Sequence, residues 1–227
     1  MLGVSLALAG CTFGAIAFLR APAAAAAPTA AATLAQMPTA SEQPFVTKAS
    51  TDLEKMYPTA ADAVKAGYIR FTDEDETGAI SYANRQWTSS DADHPSQLWY
   101  DVSGKLIGAD YSVPLSDTRP QLFGIDPGRW ITFRAHVHYG LAGPNGTTTF
   151  GGTGGAKFTS TGGSISAPTA AQLVTAGIAK STSDVQFVFP FPAIWDLEVW
   201  VVPNPSGAFA EMNPNVHPVH TPPPMRM

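Results

Sequence analysis

The chain reads as an α+β fold, mainly antiparallel β-sheet of sandwich or barrel-like form with a few short helices. Three observations predict it. Hydrophobic residues make up 44% of the 227 residues while charged ones make up only 14%, against roughly 25% in ordinary soluble domains. Twenty glycines and twenty prolines divide the chain into short β-branched and aromatic runs, the pattern of strands closed by turns. One such run, Arg129 to Tyr139, alternates along its whole length: as a single strand it sets Ile131, Phe133, Ala135, Val137 and Tyr139 on a core face, and Trp130, Thr132, Arg134, His136 and His138 on the other.

The N-terminal elements precede the fold. Met1 to Leu19 carry no charge and are almost wholly apolar, with Arg20 and an Ala/Pro/Thr stretch behind them, the layout of an export leader over residues 1–27 and a tether over 28–44. No Lys or Arg precedes the apolar run, so either the start lies upstream or the segment is an uncleaved anchor. Leu8-Ala9-Gly10-Cys11 resembles the bacterial lipobox, which implies lipidation of Cys11; cleavage near an Ala-x-Ala site between Ala21 and Ala27 is the alternative. Cys11 is the only cysteine, so the domain has neither a disulfide nor a thiol nucleophile. The expected location is outside the cytoplasm: periplasmic, cell-surface or extracellular.

Residues 45–215 are expected to form one β-rich domain. Thr51 with Glu54 forms a capping-box pattern that opens a helix, and Thr59 opens another that Gly67 closes. Tyr68 to Thr72 and Ala79 to Ala83 read as strands around the acidic run Asp73-Glu74-Asp75-Glu76, which is either a calcium-holding loop or a solvated turn. Gln97 to Val102 and Lys105 to Val113 form a hairpin about Ser103-Gly104. Gly143 to Gly146 is a turn, holding the sequon Asn145-Gly146-Thr147, and Thr147 to Phe150 a returning strand. Gly151 to Ser166 is rich in Gly, Ser and Thr but lacks the terminal Gly-Lys-Ser or Gly-Lys-Thr of a P-loop. Thr169 and Gln172 cap a helix, and Val185 to Phe189 and Asp196 to Val202 are the last strands. Residues 216–227 read as a disordered Pro/His tail. Pro58 to Gly67 and Pro168 to Gly177 agree at seven of ten positions, from duplication of a helix-plus-strands unit or from convergence of Ala-rich capped helices.

The net charge of −5 and the lack of any basic cluster exclude a nucleic-acid partner. No Gly-x-Ser-x-Gly elbow supports nucleophilic catalysis. The candidate site is the polar face of the histidine strand. His136 and His138 have Cβ atoms roughly 6 to 7 Å apart, from which two imidazoles reach one divalent transition metal, with Glu198 or His94 as third ligand. The pair also reads, without a metal, as polar surface or as histidines hydrogen-bonded across strands, and this is the preferred reading. Arg134 and Trp130 suggest a guanidinium fork and aromatic wall for a small carboxylate ligand, or simply a stacked pair. His-x-His on a strand is reminiscent of the cupins, whose motif continues with a Glu that Tyr139 to Gly143 do not supply.

Leu197 to Pro214, with a strand, an Asn-Pro-Ser-Gly turn and a closing Asn-Pro, and His94 to Asp101 with Gly104 to Ala109 resemble an uncharacterised family of secreted bacterial domains. The resemblance spans Phe45 to about Asn215 and implies a domain type without an activity. The expected function is binding of a small molecule or protein in the cell envelope, touching a membrane only through the N-terminal segment. A metal-dependent enzyme on the His-x-His strand is the alternative, and a self-assembling envelope protein whose strands pair between copies the third reading.

Overall fold

The computed structural model describes residues 36–220 apart from 85, 90 and 155; Cys11 and the leader lie outside the described residues. The elements are α1 (Gln43–Met56), α2 (Ala60–Lys65), β1 (Ile69–Arg70), β2 (Ile80–Ala83), β3 (Gln97–Tyr100), β4 (Leu106–Pro114), β5 (Ile131–Phe133), β6 (His136–Ala142), β7 (Thr148–Thr153), α3 (Ala156–Ser160), α4 (Ala170–Thr175), β8 (Val185–Phe191) and β9 (Ile194–Trp200). They build two antiparallel sheets, one of order β1-β2-β3-β4-β9-β5 and one of order β7-β6-β8. The α+β, mainly antiparallel class is as predicted. No described helix is long and apolar enough to cross a membrane.

The helices cover the outer faces. In α1 the buried residues Phe45, Val46, Ala49 and Leu53 fall on one side of the helix and pack on Leu98, Tyr100, Ala109, Tyr111, Leu197 and Val199 of the large sheet. On the small sheet, Phe158 of α3 and Leu173 of α4 close over Val137. Between the sheets lies an aromatic layer of Phe71, Trp87, Phe189 and Phe191 with Ala83 and Ile194.

Several sequence expectations change. Thr51 lies inside α1, which begins eight residues earlier behind Glu42, because its apolar stripe continues upstream of the capping pattern. The boxes at Thr59 and Thr169 form as expected, each followed by a helix closed by a glycine of positive φ. The two helices then diverge: α2 feeds a two-residue edge strand of the large sheet, and α4 leads to a seven-residue strand of the small one. The hairpin at Ser103-Gly104 forms between β3 and β4.

The largest change concerns Arg129 to Tyr139, which is two strands in two sheets. β5 pairs with β9, ending at Phe133↔Ile194. β6 pairs with β8, beginning at His136↔Phe191. The two strand pairs thus form one ribbon interrupted at residues 134–135 and 192–193, where Pro192 has no N–H to continue the ladder. Crossing the interruption shifts the alternation by one residue. Trp130 is buried in the core against α1, whereas Ile131 and Phe133 are exposed and share a side with His136 and His138.

Both ends of the described stretch are tied in more tightly than their composition suggested. Part of the expected tether is anchored: Glu42 is 1% exposed and accepts from Arg129 Nε (3.1 Å) and Nη2 (3.0 Å), from the Asp126 N–H and from the Thr39 N–H. Burial opposes its charge, yet the hydrogen bonds from Arg129, Thr39 and Asp126 outweigh it and hold the carboxyl at about 2. At the other end, Glu74 in the acidic run accepts from the N–H groups of Val219 and His220 and lies 3.0 Å from His220 Nδ1. Asp75 turns inward on the N–H groups of Thr77 and Ala79. The described part of the Pro/His tail, residues 216–220, therefore packs on that turn.

The Glu42–Arg129 pair is desolvated and hydrogen-bonded, and removing one partner strands the other. Glu42→Ala is expected to lower unfolding free energy by about 3 kcal/mol or more, and Lys48→Ala, at an exposed ion pair, by far less. Urea denaturation of both variants measures the difference.

Candidate functional site

The structure separates the residues that the sequence grouped. Trp130 is a core residue; its Nε1 is buried with no partner among the described residues, and its ring stacks on Phe123 at 6.4 Å. Arg134 is exposed at the interruption of the ribbon. His94 is exposed and lies 2.8 Å from Asp91 Oδ1 across its own turn. Glu198 lies on β9 of the large sheet, while His136 and His138 belong to the small one. Among the described residues, the only set of three metal-donor side chains whose ligand atoms lie within 4.8 Å of one another is Asp110, Asp196 and Glu198. His136, His138, His94 and Glu198 do not form one.

Strand register explains that carboxylate cluster. β4 and β9 pair through Asp110↔Glu198 and Ser112↔Asp196, so alternation brings Asp110, Ser112, Asp196 and Glu198 to the face of the sheet opposite α1. Trp99 Nε1 donates to Asp110 Oδ2 at 2.9 Å. The indole reaches it because it lies over Gly108, where a Cβ would come within 2.3 Å of the Trp99 ring. Ser112 Oγ donates to Asp196 Oδ1, and Ser96 Oγ lies 2.6 Å from Ser112 Oγ. Asp110 Oδ1 is buried with no N–H or hydroxyl donor among the described residues, and the Asp110 and Asp196 carboxyls hydrogen-bond to each other when a proton is held between them.

Three carboxylates in so little space repel one another and lose hydration. Burial, then Asp196 and Glu198, push Asp110 well above the ordinary carboxylate range. Burial first, with Glu198 adding, raises Asp196 to about 7 despite the Ser112 hydrogen bond. Glu198 rises to about 7 through burial, then through Glu211 and Asp75. Glu198 is half-buried, and it lines a cavity of about 680 Å³ together with Glu211, Arg129, Ile131, Phe133 and Phe209. Arg129 is already committed, bonded to Glu42 and set 4.5 Å over the Phe209 ring.

The histidines form a second constellation. His136 Nε2 and His138 Nε2 are 2.9 Å apart, and His136 Nδ1 lies 2.8 Å from the Arg134 carbonyl oxygen. His136 stacks on Phe191 at 4.3 Å, and Phe71 meets His138 edge-on at 4.8 Å. Burial lowers both imidazoles, His138 to about 3 with His136 contributing. Phe133, on the cavity wall, touches Phe191 at 6.2 Å, so two rings link the cavity to the histidine pair.

Sequence reasoning chose Glu198 by its strand face but missed Asp110 and Asp196. The available signal was a polar residue at every second place in two otherwise apolar strands, Asp110 with Ser112 and Asp196 with Glu198.

The raised carboxyls make stability depend on pH in a defined direction. A group that holds its proton more tightly when folded contributes fully below its unfolded pKa, and that contribution is lost as pH rises through the folded value. For Glu198 this window runs from 4.5 to about 7. The lowered histidines act oppositely, losing their contribution as pH falls below 6.5, so a difference measurement is needed. The stability of Glu198→Gln relative to the natural protein is expected to rise with pH across 4.5 to about 7 and then level off, as read from urea midpoints in a pH series; a flat difference would contradict the assignment.

No family model, curated protein or solved structure matches this chain, so the geometry of its own residues carries the functional reading.

Proposed function

We propose that the protein is an exported binding domain that holds a hard divalent cation, of the calcium or manganese class, on Asp110, Asp196 and Glu198, the last of which lines the cavity. The observation that carries this reading is the cluster itself: three carboxylates with ligand oxygens within 4.8 Å of one another, two of which, Asp110 and Asp196, are buried and joined by a hydrogen bond that needs a proton, the place that a cation would take. Two oxygens bound to one calcium ion at 2.3 to 2.6 Å lie at most about 5 Å apart, a limit that the cluster meets. Donors that are all oxygen select calcium, magnesium or manganese over softer metals. A divalent ion also offsets the mutual repulsion that otherwise keeps these groups protonated.

Export rests on the apolar leader and the Ala/Pro/Thr tether of the sequence. A small-ligand role rests on the cavity, which leaves the outer side of a Glu198-bound ion open to water or to an anionic or hydroxylated molecule. The apolar walls at Ile131, Phe133 and Phe209 suit such a molecule with an apolar body.

Calorimetric titration of the full chain with calcium chloride and with manganese chloride tests the reading. One ion per chain is expected, with affinity rising between about pH 6 and about pH 8 as cation replaces protons. Binding is expected to disappear in Asp110→Asn and in Glu198→Gln, and to persist in Asp75→Asn. Absence of saturable binding to the natural protein, or its survival in both cluster variants, would sink the proposal.

A further inference from the structure

We infer that His136 and His138 form a second, independent metal site: a two-imidazole chelate for a tetragonal transition metal, copper(II) in particular. The argument begins with convergence. Residues two apart on a strand start with Cβ atoms roughly 6 to 7 Å apart, yet here the two Nε2 atoms meet at 2.9 Å. With metal–nitrogen bonds of about 2.0 to 2.1 Å, that separation corresponds to a nitrogen–metal–nitrogen angle of about 90°. A tetrahedral ion with the same bonds would hold the nitrogens about 3.3 Å apart. The right angle is that of two adjacent positions in a square-planar or tetragonal shell, the geometry of copper(II) and nickel(II). Among divalent first-row ions copper binds imidazole most strongly.

The surroundings support a ligand role. His136 Nδ1 donates to the Arg134 carbonyl, which fixes the ring and leaves Nε2 with its lone pair outward, the outer-shell arrangement common to metal-binding histidines. Phe191 against one ring and Phe71 against the other restrict both imidazoles to the converging orientation. Burial keeps both rings neutral, the form that ligates. On β7, the residue paired with His138 is Gly152, and Gly154, just past the end of that strand, stands beside His136, so neither places a side chain against the rings.

A hydrogen bond from one Nε2 to the other gives a similar separation, and metal binding distinguishes the two. The experiment is a copper(II) titration of the full chain in a Cys11→Ser background, followed by electron paramagnetic resonance. Expected is one copper per chain with a tetragonal spectrum and hyperfine coupling to two imidazole nitrogens. That signal is expected to vanish in His136→Asn and in His138→Ala, and to persist in the double variant His217→Ala/His220→Ala and in Glu198→Gln. His136 is half-buried, so its replacement keeps a folded protein even where truncation of the buried His138 does not; circular dichroism checks this. Copper that stays in His136→Asn, copper lost with the tail histidines, or no stoichiometric copper in the parent would each overturn the site. Tight zinc binding with weak copper binding would overturn the tetragonal assignment.

Discussion

The pairing of β4 with β9 is the constraint on which the rest of the structure depends. Seven residue pairs run from Gly108↔Trp200 to Pro114↔Ile194, joining segments almost ninety residues apart in the chain. One face of this ladder, through Ala109, Tyr111, Leu197 and Val199, supplies the centre of the core under α1. The other face carries Asp110, Ser112, Asp196 and Glu198. Since side chains alternate strictly, a slip of one residue would send the carboxylates under α1 and the core residues towards the second sheet. The same register that makes the fold stable therefore makes the cluster unavoidable.

Two polar constellations occupy the region between and beside the sheets, and their chemistry is opposite. The carboxylates gather charge that the surroundings disfavour, and they rest on one indole N–H and a chain of two serine hydroxyls. The imidazoles sit among phenyl rings that disfavour charge as well, but a neutral imidazole loses little there. In both cases packing selects the uncharged form; a bound cation would draw the carboxyls into their charged form, whereas the imidazoles ligate as they are. Elsewhere the buried polar groups are satisfied locally: Tyr68, Tyr100 and Tyr111 each donate to a main-chain carbonyl, and Glu42 and Glu74 take main-chain N–H groups. Trp130 Nε1 is an exception, buried with no partner among the described residues.

What could be read from the sequence was whatever depended on neighbours along the chain. Thr59 with Asp62 and Thr169 with Gln172 form their caps because every partner lies within one turn. The β3–β4 hairpin follows from Gly104, which adopts φ +80° at the turn. The assignment of faces in Arg129 to Tyr139 failed because the bend at residues 134–135 is matched by one at 192–193, on a strand sixty residues away. Glu42 looked like part of a tether because its partner Arg129 is 87 residues further along the chain. His136 and His138 were visible by their spacing, whereas their third ligand was sought on a strand that belongs to the other sheet. Asp110 and Asp196 converge only through the long-range ladder, and no local pattern encodes that.

The described chain begins at Gln36, and Gln36 itself lines the cavity beside Glu198 and Phe209; its carbonyl oxygen accepts from the Phe209 N–H and lies 2.3 Å from where a Cβ on Gly207 would stand. Whatever is attached ahead of this residue, whether a lipid-bearing leader, a tether or a purification tag, reaches the domain at the cavity's rim. Attachment to a surface through the N-terminus would turn the mouth towards that surface, and the length of the intervening segment would set how large a molecule could approach. A label intended to leave the cavity open belongs at the opposite terminus.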